Sequence, residues 1–367
     1  KVAVCEPLED PKLAKKLVKR GVVELVTPGV TYNDNVLDQK ENNFLASVHL
    51  DKSLTGVAFL EVSTGEFYLT QGANEYIDKL LQSFNPSEVL VQRNKRKDFV
   101  DLFGGKYYLT VFDDWVFSDD YAQEVLNKHF NTVSLKGFGV DDFPKGIVAA
   151  GAAIHYLIET QHDKINHITA LSRIDQGQYV WLDKFTIRNL ELLHTANPNA
   201  KTLIDVMDKT ASPMGRRLLR RWMVLPLCNK EQIESRYDVV DFFVQNRDLI
   251  QKYQDIIRQI GDLERLISKV SLAKVNPREL LQVGRALEQI EWLKNACETS
   301  GNESLRRFAD QLNLCVTIRE RIKKALNAEA PALLSKGNYS ANGVDAELDD
   351  LRSLSRSGKD YLLGIQK

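Results

Sequence analysis

The 367-residue sequence predicts a multi-domain α+β protein, in which a mixed α/β domain is followed by an all-α domain. Three observations carry this. Strand-length apolar runs concentrate before Gln161, helical periodicity dominates after Ile174, and the stretch between them is polar and histidine-containing.

The elements follow in order. Val2-Ala3-Val4-Cys5 has the pattern of a buried strand, and Asp10 to Arg20 that of a basic helix. Gly21 to Gly29 is β-rich and closes on a Pro28-Gly29 turn, and Asn33 to Lys40 is a polar linker. A meander starts at Asn43, with strands at Phe44–Leu50, Gly56–Val62 and Glu66–Thr70. The last two are joined through Ser63-Thr64-Gly65, where the glycine suits a hairpin needing positive φ. Tyr76, Ile77, Leu80 and Leu81 make one face of a helix over Asn74–Phe84, ended by Asn85-Pro86. Glu88–Val91 and Lys106–Phe112 read as strands, Asp119–Phe130 and Lys145–Gln161 as helices, the second rich in small apolar residues. Hairpin strands first, then strand–helix alternation, give a mixed sheet.

Beyond the connector, amphipathic helices are expected at Thr186–His194, Pro213–Met223, Asn229–Phe243, Asp262–Leu272, Asn276–Lys294 and Glu303–Leu326. Asp262 and Asn276-Pro277 supply start signals. From Val344 to Lys367, Val344, Leu348, Leu351, Leu362 and Ile365 lie near a heptad stripe that Ser355 and Gly358 interrupt, a helix in need of an antiparallel partner.

Lysine and arginine (49) nearly balance aspartate and glutamate (50), for a net charge of −1, which argues against a general polyanion-binding surface. Cys5, Cys228, Cys297 and Cys315 match no metal or redox spacing and read as free thiols of a reducing cytoplasm. No apolar run approaches the roughly 20 residues that span a bilayer. The chain starts without methionine inside a strand pattern and stops inside a helical one, so it reads as an internal piece of something larger.

Catalytic motifs fail one by one. Gly104-Gly105-Lys106 is followed by Tyr107 and Gly358-Lys359 by Asp360, so neither is a phosphate-binding loop with a hydroxyl for Mg²⁺. His162 and His167 lack the further ligands a zinc site needs and read as a solvated linker pair. Asp113-Asp114, Asp119-Asp120 and Asp141-Asp142 flank a tryptophan, start a helix or sit in a loop, whereas a two-metal nuclease needs carboxylates held rigidly together. Glu61 is the one strand-borne carboxylate that fits a nuclease alternative. The strongest local feature is Met214 to Leu227, where Arg216, Arg217, Arg220 and Arg221 interleave with Leu218, Leu219, Trp222 and Met223 on a helix. Such a helix either contacts phosphates or docks on its own domain while the arginines pair with acidic neighbours; the near-zero net charge favours docking.

Several ordered runs resemble the MutS family of DNA mismatch-repair proteins. Val2 to Pro11 is similar to a VAVCEQ-x-EDP segment, with Pro7 in place of glutamine, and Arg20 to Gly29 resembles R-x-VVR-x-VTPG, with Glu24 in place of arginine. Gly137-Phe138-Gly139-Val140, Thr186 to Leu192, Thr202-Leu203, Ser212 to Trp222, Leu225-Pro226-Leu227, Gly261 to Arg265 and Glu347 to Arg352 continue the match in order.

The resemblance implies four parts: 1–34 as the tail of a mismatch-recognition domain with its linker, 35–161 as an RNase-H-like connector domain without its active site, 162–342 as a helical core or lever domain, and 343–367 as the start of a clamp helix. It implies a non-catalytic fragment with no cofactor of its own. It further implies a parent protein that is a cytoplasmic, nucleoid-associated homodimer with an ATPase domain using ATP and Mg²⁺, whose partners are mismatched duplex DNA and MutL. Phe59-Leu60-Glu61 only imitates the family's Phe-Xaa-Glu mismatch wedge, because strand alternation turns Leu60 away from the other two. The resemblance gives Arg188, Asn189, Glu191, Gly215, Arg216, Arg217 and Trp222 structural and coupling roles, and makes the outer face of the 119–130 helix (Gln123, Glu124, Asn127, Lys128) a candidate MutL surface. The alternative is an RNase-H-like metal-dependent nuclease with a helical appendage.

Overall fold

The computed structural model describes residues 1–7, 9, 17–32, 37–160, 165–195, 197 and 199–365. Most of the expected 10–20 helix, the first half of the 33–40 linker, and His162 lie outside the described residues. The chain divides into two compact units, Lys1–Tyr237 with Ile267–Leu272, and Asp238–Leu266 with Ala273–Lys367.

In the first unit, β1 (Val2–Pro7) and β2 (Arg20–Val26) form a two-stranded antiparallel ribbon. The main sheet contains β3 (Phe44–His49), β4 (Thr55–Glu61), β5 (Glu66–Gly72), β6 (Glu88–Gln92), β7 (Leu109–Phe112) and β8 (Ser172–Arg173), in the order β7-β6-β3-β4-β5-β8. The strands β3, β4 and β5 run antiparallel in sequence, while β6 is parallel to β3, β7 to β6 and β8 to β5. This is the mixed sheet that the alternation of hairpins and strand–helix units predicts. The turn between β4 and β5 holds Gly65 at φ +80°, as its spacing required.

Helices α1 (Asn74–Phe84) and α2 (Arg96–Phe103) cover one face of the sheet, α3 (Asp119–Phe130) and α4 (Pro144–Glu159) the other. Alternation decides which side chain meets which layer: Phe44, Ala46 and Val48 pack with α1 and α2, whereas Leu45 packs with α3 and α4. Because both faces are covered, β3 and β4 are buried at every position, and Phe59 and Leu60 enter opposite cores. The remaining helices of this unit are short α5 (Lys184–Asn189), α6 (Leu203–Met207) and α7 (Pro213–Val224).

Helix α8 (Lys230–Gln245) begins in the first unit and ends in the second. The second unit is helical, with α9 (Arg247–Ile260), α10 (Leu263–Ser271, whose last turn belongs to the first unit), α11 (Pro277–Glu298), α12 (Glu303–Gln311), α13 (Val316–Ala325) and α14 (Ala346–Ile365). Central α11 starts at a capping box, Asn276 with Glu279, and has Pro277 in its first turn. Tyr253, Cys297, Leu305 and Ala309 close one small core against it, Leu266, Val283, Leu287 and Ile322 another.

The structure departs from expectation at several elements. β1 is largely exposed, because among the described residues it pairs only with β2. The polar connector after α4 is anchored, since Ile165, Ile168, Leu171 and Ile174 are buried and Ser172–Arg173 adds the sheet's edge strand. The 186–194 helix stops at Asn189, where Glu191 adopts φ +46° and its carbonyl accepts from Leu203 N. The 303–326 helix is two helices, broken at Cys315 with φ +44°. Helices α2, α6 and α9 lie where none was expected, and β7 is shorter than the 106–112 run.

Candidate coupling site

The arginine-rich segment forms α7. Ser212 caps it by accepting from Gly215 N at 3.1 Å, and Pro213 occupies the first turn, where its missing N–H costs nothing. The i, i+4 spacing then places two pairs of arginines along the helix, and each meets an acceptor of its own unit. Arg216 Nη1 lies 2.8 Å from Asp208 Oδ2. Buried Arg217 donates to the Gln39 carbonyl at 3.0 Å, and Arg220 Nη2 lies 2.8 Å from Glu41 Oε1. Arg221 Nη1 donates to Glu66 Oε1 and to the Tyr68 hydroxyl, both at 2.6 Å, with its guanidinium over the Tyr68 ring.

Glu66 is the centre of this docking. Its Oε1 accepts from Arg221 and from Tyr68 (3.1 Å), and its Oε2 accepts from Asn42 (2.9 Å). The carboxylate therefore ties the start of β5 to α7 and to the 39–42 segment at once. Burial works to raise the Asp208 carboxyl, but its Thr210 hydrogen bonds and the Arg216 and Lys40 charges hold it below the usual range. Between these elements lies a small open cleft lined by Phe44, Phe84, His194, Arg217, Arg220 and Arg221. At the far end of α7, the Arg236 guanidinium stacks 3.5 Å from the Trp222 ring centroid.

Arg216, Arg217, Gly215 and Trp222 are thus brought together on one helix. Arg188 and Asn189 do not join them: both are exposed at the end of α5, and Arg188 lies over the ring of exposed Phe185. The Glu191 side chain accepts from Thr195 and shapes the turn that follows. On α3, Gln123, Glu124 and Lys128 are exposed and Asn127 is half-buried. The acidic partners Glu41, Glu66 and Asp208 were missed by sequence reasoning, since none belongs to a motif and none is near α7 along the chain except Asp208.

The expected metal-nuclease carboxylates are dispersed. Glu61 is buried and accepts from Ser63 N and Oγ at 3.1 and 2.8 Å. Asp113 pairs with Arg93 and Asp114 accepts from Asn94. Among the described residues, no three histidine, cysteine or acidic side chains are grouped to hold a metal. His167 is half-buried, its Nε2 bonded to the Val62 carbonyl at 2.7 Å, and is not a solvated linker histidine. No helix among the described residues is long and apolar enough to cross a membrane.

A second polar cluster, also unforeseen, surrounds Glu88 at the start of β6, which has no exposure to solvent. Glu88 Oε2 accepts from Thr27 Oγ1 at 2.6 Å and Gly29 N at 3.0 Å, and its Oε1 from Thr110 Oγ1 at 2.6 Å and the Tyr156 hydroxyl at 2.7 Å.

Family models match the chain in three consecutive stretches: MutS domain I at residues 1–35, MutS domain II at 43–169 and MutS domain III at 185–363. Over all 367 residues the chain is 52% identical to the DNA mismatch repair protein MutS of Flavobacterium psychrophilum, covering 42% of that protein. It is 53% identical to the proteins of the same name from Flavobacterium johnsoniae and Bacteroides thetaiotaomicron, covering 42% and 43% of them. The chain therefore spans less than half the length of the relatives it matches.

Proposed function

The chain belongs to the MutS family, and we propose that within a mismatch-repair protein it is the connecting and lever module, carrying the state of bound DNA toward an ATPase without performing chemistry itself. The observation that supports this best is the docking of α7. Its four arginines are engaged by Asp208, Gln39, Glu41 and Glu66, so Arg221 joins α7 to the mixed sheet, the others hold it to its flanking segments, and none is held in reserve for phosphates. A sheet covered on both faces and helices packed on it move as bodies, which suits transmission better than loops do.

In this reading 1–34 is the tail of a mismatch-recognition domain, 35–161 the connector, 162–342 the lever and 343–367 the start of the clamp. The longer protein acts as a cytoplasmic, nucleoid-associated homodimer on mismatched duplex DNA, with ATP and Mg²⁺ bound outside these residues. Arg188, Asn189 and Glu191 serve the junction between connector and lever. MutL docks on the outer face of α3, through Gln123, Glu124, Asn127 and Lys128.

The test uses the 367-residue chain with matched and mismatched duplexes across a salt series, alongside ATP turnover. Weak, salt-sensitive binding without mismatch preference and no turnover is expected. Tight mismatch-selective binding, ATP hydrolysis, or Mg²⁺-dependent cleavage abolished by Glu61→Ala would overturn the reading.

A further inference from the structure

The geometry points to Glu88 as a positioning residue: its carboxylate is a latch that fixes segment 27–32 to the mixed sheet. This deepens the transmission reading and rests on it for its consequence in signalling. Four donors from three different parts of the unit converge on one buried carboxylate, Thr27 and Gly29 from the segment, Thr110 from β7 and Tyr156 from α4. Two donors at each oxygen saturate an ionised carboxylate and leave no place for water. Such bonds are stronger than neutral ones, and each donor left without its acceptor in a buried site carries a desolvation cost.

The segment is shaped for this contact. Thr27 and Val30 exchange backbone hydrogen bonds, Thr27 N to Val30 O at 3.1 Å and Val30 N to Thr27 O at 3.2 Å, around the Pro28-Gly29 turn. A side chain at position 29 would place its Cβ 2.8 Å from Glu88 Cβ, so only glycine brings its N–H to the carboxylate. Beyond the turn, Val30 and Tyr32 enter the core between the sheet and α4. Upstream, Leu25 N donates to the Thr160 carbonyl just past α4. Helix α4 thus holds the segment at both places, directly at Thr160 and through Tyr156 and Glu88. A displacement of 20–32 acts on β6, β7 and α4 together through this carboxylate, beside the direct hydrogen bond from Leu25 to Thr160, where apolar contacts alone would permit sliding.

Glutamine is nearly isosteric, but it offers one acceptor oxygen and turns an NH₂ toward donors on the other side. Hydrogen exchange on the full 367-residue chain measures the result amide by amide. In Glu88→Gln the Gly29 and Val30 amides should exchange about 10- to 100-fold faster, while those of β3, β4 and β5 stay within about threefold. Thr27→Val removes a single donor and should show a smaller rise confined to the same amides, which keeps the test open if Glu88→Gln does not fold. Unchanged exchange at Gly29 and Val30 in both variants, or in Thr27→Val a uniform acceleration across the sheet, would overturn the latch. In an intact MutS protein carrying these residues, Glu88→Gln should lower the stimulation of ATP turnover by mismatched over matched duplex. Preserved stimulation despite a released segment overturns the signalling role of Glu88. The transmission reading fails separately, if Arg221→Ala at the other end of the sheet also leaves that stimulation intact.

Discussion

At the scale of single residues, the arginines of α7 are paired within their own unit, and three buried or half-buried histidines, His49, His129 and His167, are titrating weak points. Arg221 shares Glu66 and Tyr68, and both ion-pair partners remain partly open to water, so solvent screening discounts the pair. Arg221→Ala should therefore cost about 1–3 kcal/mol in urea unfolding, and Tyr68→Phe about 1 kcal/mol. A cost near zero for Arg221→Ala would mean that α7 docks by its apolar face alone. Burial holds the His49, His129 and His167 imidazoles below their ordinary 6.5. The unfolded chain then binds protons that the folded chain refuses. Stability is complete above about pH 6.5 and is lost as pH falls from there toward the folded values. The slope is at most about 1.4 kcal/mol per pH unit for each histidine, less where water still reaches the ring. The carboxylates held low, Asp51, Asp183, Asp205 and Asp208, give a contribution that is complete above about pH 4 and is lost only as pH falls below their ordinary 3.8. Melting temperatures at pH 7.5 and 5.5 should differ, and His167→Gln, which keeps an N–H for the Val62 carbonyl, should reduce the difference. An equal drop in the variant would remove His167 from the account.

At the scale of elements, close approach decides which helices can form a layer. Gly151 on α4 faces α3 so closely that an added Cβ would lie 2.5 Å from Ala122 Cα and Cβ. A glycine-to-alanine change inside a helix ordinarily stabilises by roughly 0.5–1 kcal/mol. Here the sign reverses: Gly151→Ala should destabilise by about 1–3 kcal/mol, because backbone must move to admit the methyl group. Thermal unfolding of this variant beside Gly137→Ala, where the added methyl meets open space, separates the two effects. The same local physics explains what the sequence made legible. Helices α1 and α3 match expectation to the residue, since each has a clean apolar face and ends at an asparagine in the left-handed region. The central strands were legible as unbroken apolar runs. Helix α9 repeats apolar residues at Leu249, Tyr253, Ile256, Ile257 and Ile260 and was readable by the same rule. Helix α2, with its basic start and two buried phenylalanines, gave a weaker pattern. The break at Cys315 was not readable, because a non-glycine residue in the left-handed region follows from packing on both sides and not from its own preference. The arginine helix was visible as a motif, but its partners Glu41, Glu66 and Asp208 come from three separate loops and strand ends, and only folding brings them to it.

At the scale of the whole molecule, the first unit has a polar joint at either side of one sheet. Glu88 gathers the 27–32 segment, β7 and α4, and Glu66 gathers α7 and the 39–42 segment. Between them lie strands buried on both faces, whose close packing resists deformation. A plate with a charged joint at each side passes displacement from one joint to the other only while both hold, and a charge pair can be tested by reversal without loss of its partner. Arg221→Glu places two carboxylates together at the edge of β5, and Glu66→Arg places two guanidinium groups there; each should weaken docking. The double variant restores one charge of each sign across the same gap. In an intact MutS protein carrying these residues, each single reversal should reduce the ratio of ATP turnover on mismatched to matched duplex. The double reversal should recover a substantial part of it, with a coupling energy of about 0.5–3 kcal/mol in the cycle. Unfolding measurements on the same variants separate coupling from stability, because recovery of stability without recovery of the ratio would assign the pair to folding alone. Additive losses in both measurements would show that α7 and β5 do not communicate through this contact, and the transmission proposed for this module would have to run elsewhere in the fold.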